Sequence, residues 1–148
     1  MRRISIAARV AALASVVIGA AMAYALPAGA DVSILSPSVA AVQVGSPATI
    51  DAKGAVVAVS VTTVCAPGAS FTNLSLDIVE TVGGGIAHGS ASVDGVACTG
   101  GFNTVNVFVS AQDKPFHRGT AFASADFFVC DFNGCRSATD EREIRVVR

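Results

Sequence analysis

Cys65, Cys98, Cys130 and Cys135 are the four cysteines of the chain, and such residues either hold a metal as thiolates or oxidise in pairs. Zinc is disfavoured by the spacing, because no C-x2-C knuckle supplies two ligands from one turn. Pairing fits better. Cys130 and Cys135 flank Asp131-Phe132-Asn133-Gly134, whose Asn-Gly is a strong turn signal. A four-residue hairpin loop there sets the two cysteines opposite each other at a distance that a disulfide spans. Cys65 is left for Cys98. On loop-closure entropy the short bridge contributes roughly 2 kcal/mol and the long one about 4 kcal/mol.

His88 and His117 are the two histidines. A hydrolytic triad needs a serine within hydrogen-bond reach of a histidine that a carboxylate orients. Ser90 stands two residues from His88, so an extended segment puts both on one face. The nucleophile-elbow pattern G-x-S-x-G is missing, since Gly68-Ala69-Ser70-Phe71-Thr72 lacks its last glycine. His117 lies in the turn-rich run Lys114-Pro115-Phe116-His117-Arg118. Both histidines read as surface residues. Gly83-Gly84-Gly85 reads as a hairpin turn rather than a phosphate cradle, because His88 stands where the dinucleotide fingerprint needs glycine and no helical pattern follows. Asp140, Glu141 and Glu143 interleave with Arg142 and Arg145, the mixed signs of a solvated strand rather than the facing carboxylates of a glycosidase. Asp131, Asn133 and Asp140 do not follow the EF-hand order, since Gly134 comes too early. The expectation is a chain without catalytic residues, metal or cofactor.

The elements that carry these residues have period two. Val57, Val59, Val61 and Cys65 alternate with Ala58, Ser60 and Thr62; Leu74, Leu76 and Ile78 alternate with Asn73, Ser75 and Asp77. The β-branched content agrees. Strands are expected near 47–51, 55–65, 71–81, 86–98, 102–111, 119–131 and 135–147, with Asp94-Gly95 as a bulge or a splitting turn. About seven short strands with turns between them predict an immunoglobulin-like antiparallel β-sandwich over 47–148, with the Cys65–Cys98 bridge in its core. No tryptophan is available to pack on that bridge.

Two of these strands are apolar on both faces. Phe102 and Phe108 oppose Val105, Val107 and Val109, while Phe122 and Phe128 oppose Ala121, Ala123 and Ala125. Only one face of each can enter a two-sheet core. The area that phenylalanine offers for burial favours Phe inside. The alternative leaves Phe102, Phe108, Phe122 and Phe128 outside as a candidate ligand patch.

The first 30 residues carry an export signal pattern. Arg2, Arg3 and Arg9 precede an uncharged run from Val10 to Leu26, and Ala21-Met22-Ala23 and Ala28-Gly29-Ala30 are cleavage patterns, the second preferred. The alternative is an uncleaved anchor, but the 17-residue run is short of the roughly 20 residues that span a bilayer. Hydrophobic residues make up 52% of the whole chain, and a good part of that excess lies in this segment. Beyond it, seven basic residues face eleven acidic ones, a net charge of −4 with no basic excess to favour nucleic acid. No later segment is long and apolar enough to cross a membrane as a helix. Residues 31–46 read as a loose leader or an edge strand. An even cysteine count in a small exported domain agrees with disulfides and a secreted, extracellular location.

Cys65-Ala66-Pro67-Gly68, Cys98-Thr99-Gly100, the small-residue strand from Gly119 to Ala125 and the Cys130–Cys135 hairpin ahead of a charged closing strand together resemble small actinobacterial secreted β-sandwich domains of unknown function. The C-x4-C hairpin is also similar to that of neocarzinostatin-type apoproteins, exported immunoglobulin-like sandwiches that carry an apolar chromophore. Their other bridge closes a short loop, whereas Cys65 to Cys98 encloses 32 residues. That resemblance implies only that an apolar ligand is worth considering. The functional expectation is an exported, non-enzymatic binding or interaction domain for a protein or a small apolar ligand. A carrier with a Phe-lined cleft is the second reading and a small secreted hydrolase or inhibitor the third.

Overall fold

A computed structural model describes residues 40–148; the export signal, its cleavage sites and residues 31–39 of the leader lie outside the described residues. Every long element is a strand, as the period-two pattern requires. In chain order these are β1 (Ala41–Val44), β2 (Ala48–Asp51), β3 (Val56–Val64), β4 (Phe71–Val82), β5 (Gly85–Asp94), β6 (Phe102–Ala111), β7 (Gly119–Asp131) and β8 (Gly134–Val147). A single 3-10 turn, Ala52–Gly54, joins β2 to β3. Gly83 and Gly84 both take positive φ in the two-residue turn between β4 and β5, where any other residue would be strained. The chain turns away after Asp94, at Gly95 with φ 71°, so the fourth long run stops there.

The strands do not form a sandwich. Hydrogen bonding runs in a closed ring, β3–β2–β8–β7–β4–β5–β6 and back to β3, so the expected immunoglobulin-like sandwich is replaced by a seven-stranded β-barrel. Five of the seven seams are antiparallel ladders of three or more residue pairs, and β7–β8 is the longest. The other two seams close the ring. β2 pairs with β8 in parallel through Ala48↔Val146 and Thr49↔Val147, and β5 pairs with β6 through Gly89↔Ala111 and Ser90↔Ser110. These two contacts separate a barrel from a sandwich, and each depends on a small residue. Ala48 is fully buried at its seam. At the other, a Cβ on Gly89 would run into the Ser110 carbonyl oxygen, so only glycine lets β5 approach β6.

β1 continues the line of β2 along β3 but bends away at Gly45–Pro47, where the Gly45 N–H donates to the Ser60 carbonyl at 2.7 Å. It then lies against β8, and a carboxylate takes the place of a ladder there. Asp140 Oδ2 accepts the Val44 N–H at 2.7 Å, and Asp140 Oδ1 accepts from Arg142 Nη2 at 2.8 Å. The Arg142 Nε sits 2.8 Å from the same carboxylate, buried and without an aligned hydrogen-bond partner, so it acts there as charge.

The interior takes one face of every strand. Val57, Val59 and Val61 of β3, Leu74, Leu76 and Ile78 of β4, Val107 and Val109 of β6, and Ala121, Ala123, Ala125 and Phe127 of β7 are all buried. Across the β4–β7 seam large residues face small ones at Leu76 opposite Ala125 and Ile78 opposite Ala123, while Leu74 faces the one large residue of the β7 inner face, Phe127. A barrel of about eight strands is only wide enough for its own side chains to fill it, and one of seven is narrower. The alanines of β7 answer that limit.

Both disulfides form as paired from the spacing: Cys65–Cys98 with Cα atoms 5.0 Å apart, and Cys130–Cys135 with Cα atoms 4.0 Å apart. Cys130 and Cys135 face each other in the ladder, and so do Asp131 and Gly134, which shortens the expected four-residue loop to Phe132-Asn133. Cys65–Cys98 ties the end of β3 to the β5–β6 connection across one end of the barrel, in place of a link between two sheets.

Two substitutions test closure. Gly89→Val should open the β5–β6 seam and lower stability by about 1–3 kcal/mol, the usual cost of overpacking, read by urea denaturation. Asp140→Ala should cost about 2 kcal/mol through loss of charge-assisted hydrogen bonds, and Asp140→Asn less, because it keeps an acceptor for Val44.

Candidate functional site

The outer face of the barrel carries the aromatic residues. Phe102, Phe108, Phe122 and Phe128 are 67, 61, 46 and 40% exposed. The expectation that phenylalanine would fill the core is therefore overturned. The smaller Val and Ala of the same strands point inward, because only they fit the interior of a closed ring. Of the eight Phe in the chain, Phe116 and Phe127 alone are buried.

The four residues do not make one patch. Phe102 and Phe108 sit six positions apart on β6, and Phe122 and Phe128 six apart on β7, about 20 Å in each case at the rise of an extended strand. What the fold brings together instead is Phe128 with Phe71. They are diagonal neighbours across β4–β7, with ring centroids 6.2 Å apart in an edge-to-face arrangement. Phe132 projects from the turn of the adjoining hairpin and is 92% exposed. The Cys130–Cys135 disulfide closes that hairpin directly beneath it, and the Ser70 N–H and hydroxyl both donate to the Cys130 carbonyl, at 2.8 and 3.1 Å. Phe71 and Phe128 thus pack as a pair, with Phe132 exposed on the neighbouring turn, and covalent and ladder constraints hold the backbone that presents this three-residue platform. A cleft of about 290 Å³ opens at its side, lined by Gly68 to Thr72 and Asp94 to Cys98.

At the opposite end of the barrel, Phe122 lies across from Val79 on β4, and Ile86 is exposed two residues from the His88 that also faces Val79. Phe102, Phe108, Phe122 and Phe128 are absent from the linings of this cleft and of two others, at Ile50–Phe116–Arg148 and Arg118–Val146–Arg148.

Sequence reading missed Phe71 and Phe132, although parity signals the first. Phe71 is in phase with Asn73, Ser75 and Asp77, the outer face of β4, and out of phase with Leu74, Leu76 and Ile78. The same rule finds Glu80, an inward carboxylate in phase with Leu74 and buried at the end of the core. Its Oε2 accepts the His117 N–H at 2.8 Å, and so anchors the loop that delivers Phe116 into the barrel mouth. The Phe116 N–H donates to the Gly54 carbonyl at 2.8 Å, and Gly54, at φ 94°, leaves no room for a Cβ against Phe116.

The candidate catalytic residues do not assemble. His88 and Ser90 share the outer face of β5, but the Ser90 hydroxyl accepts from Gln112 Nε2 at 3.1 Å and makes no hydrogen bond to His88. His88 Nδ1 is 3.9 Å from Asp113 Oδ2, beyond hydrogen-bond distance. His117 Nδ1 donates to the Pro115 carbonyl at 2.9 Å, at the other side of the loop. Asp131 caps its own turn through the Asn133 N–H, while Asp140 binds Val44 and Arg142, so Asp131, Asn133 and Asp140 do not converge. Among the described residues no group of three His, Cys, Asp or Glu is placed to hold a metal ion, and no helix is long and apolar enough to cross a membrane. Two disulfides are the chemistry of an oxidising, extracellular environment.

Exposure separates the roles of the aromatics energetically. Phe71→Ala or Phe128→Ala should each cost about 1–2.5 kcal/mol, the aromatic pair together with the half of each ring that is buried. Phe127→Ala should cost about 3–5 kcal/mol, because it empties the core. Urea unfolding of the three variants checks the contrast.

No family model and no curated protein matches this chain. Among solved structures it is similar to the sporulation control protein Spo0M from Bacillus subtilis, at 15% identity and a TM-score of 0.39, over 75% of this chain and 50% of that one. It is also similar to CsgH from R. palustris, at 12% identity and a TM-score of 0.37, over 66% of this chain and 89% of that one. The chain thus spans half the length of the Spo0M structure, and at these scores neither likeness bears on function.

Proposed function

We propose that the protein is exported and acts, without catalysis, as a binding domain that presents the Phe71–Phe128–Phe132 platform to an apolar partner. One observation carries this reading: six of its eight phenylalanines lie outside the core, and at one end of the barrel Phe71 of β4 packs on Phe128 of β7 beside a disulfide-pinned hairpin whose turn exposes Phe132. Large apolar side chains exposed together lower solubility, and such patches mark interaction surfaces. Rigid aromatic anchors lose little conformational entropy on binding, which suits them to central positions in an interface. Export agrees with the two disulfides and with the Arg-led apolar segment at residues 1–30.

Nile red, a neutral dye, probes the platform directly. The folded protein should raise its fluorescence at micromolar concentrations, and the triple variant Phe71→Ser/Phe128→Ser/Phe132→Ser should lose most of that signal while unfolding at a similar urea concentration. A folded wild-type protein that leaves the dye dark, or a triple variant that binds it equally well, would overturn the reading.

A further inference from the structure

The end of the barrel opposite the disulfides has a different character. Lys53, Lys114, Arg118, Arg145 and Arg148, five of the seven basic residues beyond residue 30, gather there. They come from three separate parts of the fold: the β2–β3 turn, the loop before β7, and the end of β8. This concentration occurs in a chain whose remaining charge is predominantly acidic.

The cations have not been placed there to pair with protein carboxylates. The ion pairs among the described residues are His88–Asp113 and Asp140–Arg142. Among the described residues, Lys53, Arg118, Arg145 and Arg148 form no ion pair with an Asp or Glu within 4.0 Å. Two of the acids nearby are engaged by backbone, Asp51 by the Ala52 N–H and the buried Glu80 by the His117 N–H, while Glu143, two residues from Arg145 on the same face of β8, forms no ion pair among the described residues. Like charges brought together without counter-ions repel one another, and a bound anion would relieve that cost.

The cations also surround open space. Two clefts of about 670 and 630 Å³ adjoin and share Arg118 and Arg148. Their floor is apolar, formed by Ile50 and Phe116 in one and by Val146 and Val147 in the other. The loop that presents Arg118 is fixed just before it, by Glu80 on His117 and by Gly54 on Phe116, so the cleft mouth is organised before anything binds. Three of the four rim cations are arginines, whose planar guanidinium fork suits the paired oxygens of a phosphate.

We infer that this basic end of the barrel is a binding site for a phosphate-bearing anion of two or more negative charges, seated between Lys53 and Arg118 with Arg145 and Arg148 on its far side. A single carboxylate or a single phosphodiester would neutralise only one of four cations; a pyrophosphate, or two phosphodiester headgroups side by side in an anionic lipid surface, supplies the two or more charges. The apolar floor accommodates an organic group attached to the phosphate. The site lies at the other end of the molecule from the Phe71–Phe128–Phe132 platform and does not depend on it.

Isothermal titration with inorganic pyrophosphate, and co-sedimentation with vesicles of phosphatidylglycerol against vesicles of phosphatidylcholine, distinguish a soluble ligand from a lipid headgroup. Each is run on the wild-type protein, on Arg118→Gln with Lys53→Gln, and on Arg136→Gln, which removes one charge from a distant part of β8. The double variant should weaken binding at least about tenfold in whichever arm binds, while Arg136→Gln leaves it within about twofold. Binding confined to phosphatidylglycerol vesicles and lost in the double variant assigns a lipid headgroup; binding of pyrophosphate lost in the same variant assigns a soluble phosphate. No binding in either arm, or equal weakening by Arg136→Gln, would overturn the inference. Urea unfolding of each variant separates loss of the site from loss of the fold.

Discussion

The narrow interior of a closed seven-stranded ring decides most of this structure. Strands in such a ring each turn one face inward, and the enclosed volume is fixed by strand number and tilt. Leu74, Leu76, Ile78 and Phe127 use much of it, so the facing positions on β7 are alanine and those on β3 and β6 are valine. Phe122 and Phe128 on the same strand as those alanines have nowhere to go but outward. The exposed aromatics are thus the other side of core packing rather than a separate feature. The volume limit also explains why the barrel ends need stoppers: Phe116 at one, and at the other Val96, whose carbonyl accepts from the buried Thr72 hydroxyl at 2.9 Å.

Local order was legible in the residues. Period-two runs locate the long strands, Gly83-Gly84 marks a turn, and the Asp131–Gly134 spacing together with the exported pattern pairs the cysteines correctly. Closure was not legible, because it rests on two seams of two residue pairs each, one between β2 and β8, far apart in the chain, and one between the consecutive strands β5 and β6, which touch at only Gly89 and Ser90 of β5. Nothing near Gly89 in sequence announces that its missing side chain admits the Ser110 carbonyl. The direction of the β6 and β7 faces was also undetermined locally, since alternation states that two faces differ but not which one is inside. Area alone argued for Phe inward; interior volume, a property of the whole ring, reversed that. Where one face carried polar residues, as on β4, parity sufficed, and it marks Phe71 as outward and Glu80 as inward.

The two ends of the barrel divide the chemistry of the surface. One end carries Phe71, Phe128 and Phe132 and is covalently braced by a disulfide on a short hairpin. The other is cationic and braced by hydrogen bonds from Glu80 and Gly54 to a single loop. Both present residues that add little to the core, so both are free to be shaped by what they contact.

The claim that the ring is closed on Val and Ala with phenylalanine outside has a direct measurement. Relaxation of aromatic and methyl protons by a soluble paramagnet, in protein labelled at Phe and Ala, reports the accessibility of each side chain. Strong relaxation is predicted for the rings of Phe71, Phe102, Phe108, Phe122, Phe128 and Phe132, with Phe116, Phe127 and the methyls of Ala121, Ala123 and Ala125 protected. Shielded rings at Phe122 and Phe128 with relaxed methyls at Ala121 and Ala123 would contradict it.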